Sequence, residues 1–484
     1  MKRRVNGCLF FWFVFFGQTK KMNNLVKLGL EYQVSKSPRY IAIEVLCRWA
    51  ENHPPIDQVM EKYFSKSDLD DPRDRQLSMS LVYGAIRWQG YLDWVIGEFS
   101  KHPLAKMKIR TLQALRVGLF QLFFLDRVPS SAAINETVQA LKDMKQPKWL
   151  TGFVNGILRS VERQRQSIPT PFNSMPLPAT ALLSHPDWLI KRWKNRYGDS
   201  ITTTICQANN TIAPLSLRTN TTLTTTDALL KTIKEAGLKA EPGKYSPIAV
   251  ILKEYHGPVT KIPGFAEGLF QVQDEAAQMV VMLLGHILAK GSYLDGCAGL
   301  GGKTSHLAQI LPAESKLVAV EPNKGRVKKL EENLGRLRLG TSVTIVEGTV
   351  DSLLPEMKEK FDGVLIDAPC SGLGVIRRHP DIRWNRTQGD LLRYQETQTA
   401  ILESAAQLLA PGGTLVYATC STEPEENEEV VQKFLAKHPR YSLSDCREIL
   451  PEHGTALVDS TGFFRTKPGQ DDLDGFFAAR LVKN

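Results

Sequence analysis

The sequence predicts an α/β fold class. A doubly wound parallel sheet fills the C-terminal half, behind a small αβ module and an all-helical N-terminal domain. Three observations carry this reading. From residue 292 onward, short apolar runs alternate with helical stretches, the pattern of a parallel sheet with helices on both faces. Before residue 164, apolar residues recur at helical spacing and glycine is sparse. Between these regions, residues 214–265 mix short strands with one helix.

The chain has 484 residues, which suggests about three domains. Hydrophobic residues at 42% and charged residues at 23% are ordinary for a soluble globular protein, and argue against a disordered or fibrous chain. The net charge of +10 favours a polyanionic partner without establishing one. Seven cysteines are scattered with no Cys-x-x-Cys, so free thiols in a reducing cytoplasm are expected and no metal site is. Cys47, Cys206 and Cys446 read as small core residues.

Residues 1–36 form an N-terminal extension. Lys2, Arg3 and Arg4 precede an apolar run over 8–16 that imitates a signal peptide, but no small-x-small cleavage site follows. The run is far shorter than the ~20 residues that span a bilayer, so no membrane association is expected. Met22 stands in frame as an alternative start.

Residues 37–165 form the helical domain. Leu112, Leu115, Leu119, Leu122 and Phe123 share helical spacing, as do Ile134, Val138 and Leu141. Lys101, Lys106, Lys108 and Arg110 make one basic cluster; Lys142, Lys145 and Lys148 make another. Each alone reads as a solvated helix face. Residues 166–213 read as a Pro/Ser/Thr-rich linker followed by a helix that interleaves basic residues with Trp188, Trp193 and Tyr197. For the two tryptophans, core packing is weighed against base stacking. In the αβ module, strands are expected at 215–220 and 248–252 and a helix at 226–236. A further helix is expected to open at Phe270.

In the remaining domain, residues 266–484, strands are expected at 292–295, 316–321, 343–346, 364–367 and 415–419, with the clearest helix over 391–409. Ligands of such sheets bind beyond the carboxyl ends of the strands, where the strand order reverses. The notable residues all fall at such ends. Gly299, Gly301 and Gly302 form a turn between a strand and a helix, where backbone can approach a ligand. A P-loop is excluded, because its first glycine would fall on Cys297. Glu321 ends the second strand, where a carboxylate can hold a ribose diol. Cys370, in Asp367-Ala-Pro-Cys370, and Cys420, in Ala418-Thr-Cys-Ser421, each follow a strand. Neighbouring strands lie about 4.8 Å apart, so both sulfurs can serve one reaction centre. Each cysteine alone would pass for an inert core thiol. Together with the glycine turn, they point to nucleobase chemistry with a thiol nucleophile and a nucleoside cofactor. The run from Thr422 to Glu425 reads as a helix start near Cys420. The loop after Cys370 is glycine-hinged and basic. Its Arg377, Arg378, His379 and Arg383 are expected to hold substrate phosphates.

On these residues the chain resembles the RsmB/Nop2/Sun family of RNA cytosine-5 methyltransferases, and most closely its bacterial members that modify small-subunit ribosomal RNA. The matching segments are 297–303, 367–370, 374–384 and 418–421, with Pro424-Glu-Glu-Asn-Glu428 and Asp474-Gly-Phe-Phe477. The resemblance runs from about residue 37 to the C-terminus. It implies a Rossmann-like S-adenosylmethionine-dependent methyltransferase domain behind a NusB-like RNA-binding domain, working as a monomer. It implies Cys420 as covalent nucleophile, Cys370 as the residue that assists product release, and Asp367 with Pro369 as the cytosine holders. Cys297, Ala298, Gly299, Leu300, Gly301, Gly302, Lys303, Glu321, Thr349 and Asp367 would bind the cofactor, with Lys303 near the methyl-transfer centre. The implied substrate is a cytosine of 16S ribosomal RNA, methylated at C5. A transfer RNA substrate and a non-catalytic assembly factor stand as alternatives. Two departures are visible. The family turn reads Cys-Ala-Ala-Pro-Gly-Gly-Lys, and the Gly299-Leu300 found here is expected to loosen it. Thr349 stands where the family has an aspartate near the adenine, and Asp351 is the nearest substitute.

Overall fold

Apolar residues three and four positions apart give each helix of the first half one face to bury. In the computed structural model they build nine helices among the described residues: Pro38–Asn52, Ile56–Phe64, Pro72–Arg87, Gln89–Phe99, Ile109–Phe124, Ser130–Asp143, Lys148–Gln164, Ala179–Leu183 and Asp187–Asn209. The structure describes residues 37–484 except 66–68, 70, 174, 256, 358 and 359. The N-terminal extension, with its apolar run and Met22, lies outside the described residues. The described chain forms two compact units. One comprises 37–212 together with 377–385; the other comprises 213–376 and 386–484.

In the helical unit, Leu115, Leu119 and Leu122 of the central helix Ile109–Phe124 are buried, with Leu112 and Phe123 at the edge of that face. Ile134, Val138 and Leu141 pack from the next helix. Of residues 166–213, read from sequence as a linker and a helix, 166–212 pack into this same unit. Tyr91 Oη donates to Pro169 O at 3.1 Å, and Ser184 Oγ donates to Arg87 O at 2.8 Å. Trp193 is buried beside the His185 ring, so core packing explains it, while Trp188 is half-buried.

Residues 377–385 also belong to the helical unit, and this corrects the phosphate-holding expectation. Arg383 is fully buried. Its guanidinium donates to Ser184 O (2.9 Å), Asn209 O (3.0 Å) and Asn210 Oδ1 (2.6 Å). Arg377 and Arg378 are buried as well, and the Arg377 carbonyl accepts from Arg87 Nη2 at 2.7 Å. His379 Nδ1 lies 3.2 Å from Asp57 Oδ2. Ile382 and Trp384 explain the inward turn, because apolar residues interleave the cations, and Trp384 Nε1 donates to Ile86 O at 2.9 Å. Arg383→Ala leaves several buried acceptors without donors. It is expected to destabilise the helical unit by about 3 kcal/mol or more. Chemical denaturation followed by the signal of the helical-unit tryptophans measures this.

The second unit contains two sheets. Strands β1 (Leu215–Thr219), β2 (Ala240–Pro242), β3 (Ala249–Leu252) and β4 (Phe270–Val272) form an antiparallel sheet in the order β2-β3-β1-β4. Residue 270 therefore opens a strand rather than the expected helix. Val272 pairs with Leu217, and the helix Glu275–Met282 begins only where Asp274 Oδ1 accepts from Ala276 N at 3.0 Å.

The larger sheet uses β5 (Ser292–Asp295), β6 (Lys316–Glu321), β7 (Thr344–Glu347), β8 (Phe361–Asp367), β9 (Leu409–Thr419), β10 (Tyr441–Ser444), β11 (Phe464–Arg465) and β12 (Phe477–Lys483). Its order is β10-β12-β9-β8-β5-β6-β7, with β11 beside β12. Strands β5 to β9 are parallel, while β12 is antiparallel to both β9 and β10. Alternate residues feed opposite faces, as the strand period requires. Tyr293, Leu365 and Val416 join one core; Leu294, Val364, Ile366 and Tyr417 join the other. The order runs outward from β5 through β6 and β7, and in the opposite direction through β8 and β9. The switch point thus lies between β5 and β8. No helix among the described residues is long and apolar enough to cross a membrane.

Candidate active site

Four strand ends converge on this switch point. After β5, residues 296–302 turn sharply into the helix Gly302–Ile310. Gly296 N donates to Leu365 O and Ala298 N to Val320 O, both at 2.9 Å, so the turn is stitched to the strands on either side. Gly301 sits at φ +86°, which favours glycine, and a Cβ there would press on Leu330 Cδ1 at 2.5 Å. Gly301 N donates to Ala298 O at 2.9 Å, and Asn333 Nδ2 donates to Leu300 O at 3.3 Å. These two bonds span the Gly299-Leu300 turn.

Asp295, buried at the end of β5, accepts from Thr304 Oγ1 at 2.7 Å and from Cys297 N at 3.2 Å. Burial pushes its carboxyl up to about 6. Burial, followed by the nearby Asp295 carboxylate, also raises the Cys297 thiol well above the usual range. Cys297 is therefore a packed thiol in the turn. Glu321 is buried at the end of β6, and its Oε1 accepts from Asn323 N at 2.9 Å. Among the described residues no group donates to Oε2. Thr349 is exposed beyond β7; its carbonyl accepts from Ser352 Oγ at 2.6 Å. Asp351 is exposed on the next turn.

Beyond β8, Asp367 Oδ2 lies 2.6 Å from Lys303 Nζ, and that ammonium stands 5.3 Å from the centre of the Phe476 ring. Lys303 is buried, so this ion pair is shielded and directional rather than a loose surface contact. Pro369 is exposed, and its carbonyl accepts from Gln398 Nε2 at 3.0 Å.

The two cysteines meet. Cys370 Sγ and Cys420 Sγ are 3.3 Å apart. Ala368 N donates to Ala418 O at 2.8 Å, continuing the parallel ladder as far as the thiols. Gly374 N donates to Cys420 O at 2.9 Å, so the loop after Cys370 folds back over Cys420. A Cβ on Gly374 would lie 2.0 Å from Gly475 O, which makes this approach possible only for glycine. The hydrogen bond to Cys420, with burial second, raises the Cys370 thiol well above the usual range. Cys370 therefore keeps its proton.

Beneath the thiols lies a buried carboxylate to which the sequence reading gave no role. Glu426 Oε1 accepts from Ser371 N (2.6 Å) and Gln398 Nε2 (3.2 Å). Its Oε2 accepts from Ser371 Oγ and Ser421 Oγ, each at 2.5 Å. Ser371 and Ser421 are the residues immediately after the two cysteines, so one side chain ties both loops together. The segment expected to start a helix near Cys420 is a 3-10 turn, Pro424–Glu426, and the α-helix begins only at Glu428. The turn brings the Glu426 side chain under the loops. Arg218 of β1 was also missed. It is buried and donates to Gly302 O (2.6 Å) and Ser305 Oγ (2.7 Å), bracing the first turn of the helix after the glycines. Its only sequence signal was a cation inside an apolar strand.

Residues 286–482 match the profile of the family described as 16S rRNA methyltransferase RsmB/F, 36–163 that of the NusB family, and 185–260 a ferredoxin-like domain of RsmF/B-like methyltransferases. The ribosomal RNA small subunit methyltransferase B of Salmonella paratyphi B is 37% identical over 439 residues, covering 88% of this chain and 96% of that relative. The chain belongs to the RsmB/F methyltransferase family. The crystal structure of PH0851 covers 93% of this RsmB/F chain and all of its own, at 26% identity and a TM-score of 0.75. A methyltransferase homologue from Pyrococcus horikoshii covers 63% of this chain and 97% of its own, at 26% identity and a TM-score of 0.54. The RsmB/F assignment accounts for the Rossmann-like sheet and the helical NusB domain. It also gives the converged strand ends a reaction class, methyl transfer.

Proposed function

We propose that this protein methylates C5 of a cytosine in 16S ribosomal RNA, using S-adenosylmethionine and a transient bond between Cys420 and the base. The observation that carries the reading is the pair of sulfurs 3.3 Å apart at the switch point, beside the Lys303–Asp367 ion pair.

The residues present suit the cofactor. The glycine turn brings backbone beside the helix Gly302–Ile310, and a carboxylate at the end of β6, Glu321, supports a contact with a ribose diol. Bound S-adenosylmethionine supplies an electrophilic methyl group. Lys303 holds the Asp367 carboxylate in one orientation, where it accepts a hydrogen bond from the cytosine amino group. Cytosine C5 is a poor nucleophile. Addition of the Cys420 sulfur to C6 makes C5 enamine-like and able to form the new carbon–carbon bond. Loss of the C5 proton to a base then restores the double bond and expels the Cys420 sulfur. Cys370, which keeps its proton, stands at hydrogen-bond distance from the leaving sulfur and assists that release.

Incubating the protein with unmodified 16S rRNA and S-adenosylmethionine tests the reading. Bisulfite sequencing should find one new 5-methylcytosine, with transfer RNA unchanged in a parallel reaction. Methylation of transfer RNA alone, or of neither, would sink it. Glu321→Ala should weaken S-adenosylmethionine binding about 10-fold, since hydrogen bonds to a charged group are lost. Titration calorimetry in the absence of RNA reads that change directly.

A further inference from the structure

The two lysine clusters that looked like unrelated solvated faces meet on the helical unit around one exposed tryptophan. Trp149, in the first turn of Lys148–Gln164, is 65% exposed, the most exposed large apolar side chain among the described residues. Lys108, just before the helix Ile109–Phe124, places its Nζ 5.8 Å from the centre of that ring. Lys145 and Lys148 flank the ring along the chain, and Lys106 lies two residues before Lys108; all four lysines are exposed. Among the described residues none of them forms an ion pair, in contrast to neighbouring Arg110, which is paired with Glu44 at 2.8 Å. The nearby acid Asp143 accepts from Gln139 Nε2 at 2.8 Å.

An exposed indole costs solubility, and a cluster of unpaired ammonium groups repels itself. Together they match one chemistry, a flexible polyanion carrying flat apolar rings. We propose that this surface binds an unpaired segment of RNA, with a base stacked on Trp149 and phosphates against Lys106, Lys108, Lys145 and Lys148. The inference rests on the RNA-methylating reading above and adds to it a second contact with the substrate, made by the helical unit. Duplex RNA fits poorly, because its bases are already stacked on one another and its edges are recessed. The lysines give affinity without sequence preference, and the ring selects for unstacked bases.

The test uses the full-length protein. Trp149→Ala should weaken binding of oligouridylate about 10-fold, within the range that loss of one base–aromatic stack gives. Trp149→Phe should retain most of the affinity. Replacing Lys108, Lys145 and Lys148 together by glutamine should lower the slope of log affinity against log salt by about 2, the loss of three phosphate contacts on a single strand. In methylation assays on 16S rRNA, both changes should raise KM and leave kcat and S-adenosylmethionine affinity unchanged. Unchanged KM and salt slope in variants of an active wild type overturn the proposal. So does a Trp149-dependent affinity for polyglutamate that exceeds that for oligouridylate, which would make this a protein-docking surface. A wild type that methylates no ribosomal RNA, yet binds oligouridylate through Trp149, would sink the functional reading and leave the surface standing.

Discussion

Cys420→Ala should lower methyl transfer by about 10⁴-fold or more, the scale on which loss of a covalent nucleophile is felt. Cys370→Ala should behave differently. The two sulfurs lie 3.3 Å apart, and the hydrogen bond to Cys420 together with burial raises the Cys370 thiol well above the usual range. Without it the bond from Cys420 to the base still forms, and expulsion of the sulfur slows. The expected result is a covalent protein–RNA adduct, seen as a slow band on a denaturing gel and absent from the Cys370→Ala/Cys420→Ala double variant. Both single variants should bind S-adenosylmethionine normally, because neither thiol belongs to the glycine turn. A Cys420→Ala protein with wild-type turnover would end the nucleophile assignment. A Cys370→Ala protein that turns over freely, without adduct, would end the division of roles.

The parallel strands were legible because burial on both faces leaves an apolar run at each. Strands β5 and β6 fall on the expected residues, and β7 is displaced by one. Strand β12 was not legible. It runs antiparallel to β9, and Phe477 to Lys483 lacks the strict alternation of a half-buried strand. The site residues at strand ends could be placed because a parallel sheet delivers each end to one rim. What could not be read were side chains whose partners are remote in sequence. Arg383 looks like a phosphate ligand in a basic loop. Its acceptors, Ser184 O, Asn209 O and Asn210 Oδ1, lie more than 170 positions away, and only the fold discloses them. Glu426 illustrates the converse. It lay in the Pro424–Glu428 segment, where nothing in the local pattern marks one glutamate as buried, yet it is fully buried.

Glu426 carries the second large prediction. A buried carboxylate is costly without a cation, and among the described residues Glu426 forms no ion pair; here four donors offset that cost. Those donors come from the residues after both cysteines and from Gln398, so the carboxylate sets the spacing of the thiols. Glu426→Ala orphans these donors. It should cost about 3 kcal/mol of stability and, through misplacement of the thiols by about an ångström, about 100-fold in kcat. Glu426→Gln keeps the volume and one acceptor oxygen; a loss nearer 10-fold with an intact fold is expected. A pH profile separates positioning from mere folding. Burial raises the Glu426 carboxyl above its ordinary range. The native state then takes up this proton at a higher pH than the unfolded chain does, so this group's contribution to stability grows as pH falls. Protonation nonetheless removes an acceptor from the two serines. The wild type should therefore lose kcat on the acid side while still folded, and Glu426→Gln should lack that limb. If Glu426→Gln retains both the wild-type kcat and its acid limb, the carboxylate does not set the geometry of the thiol pair.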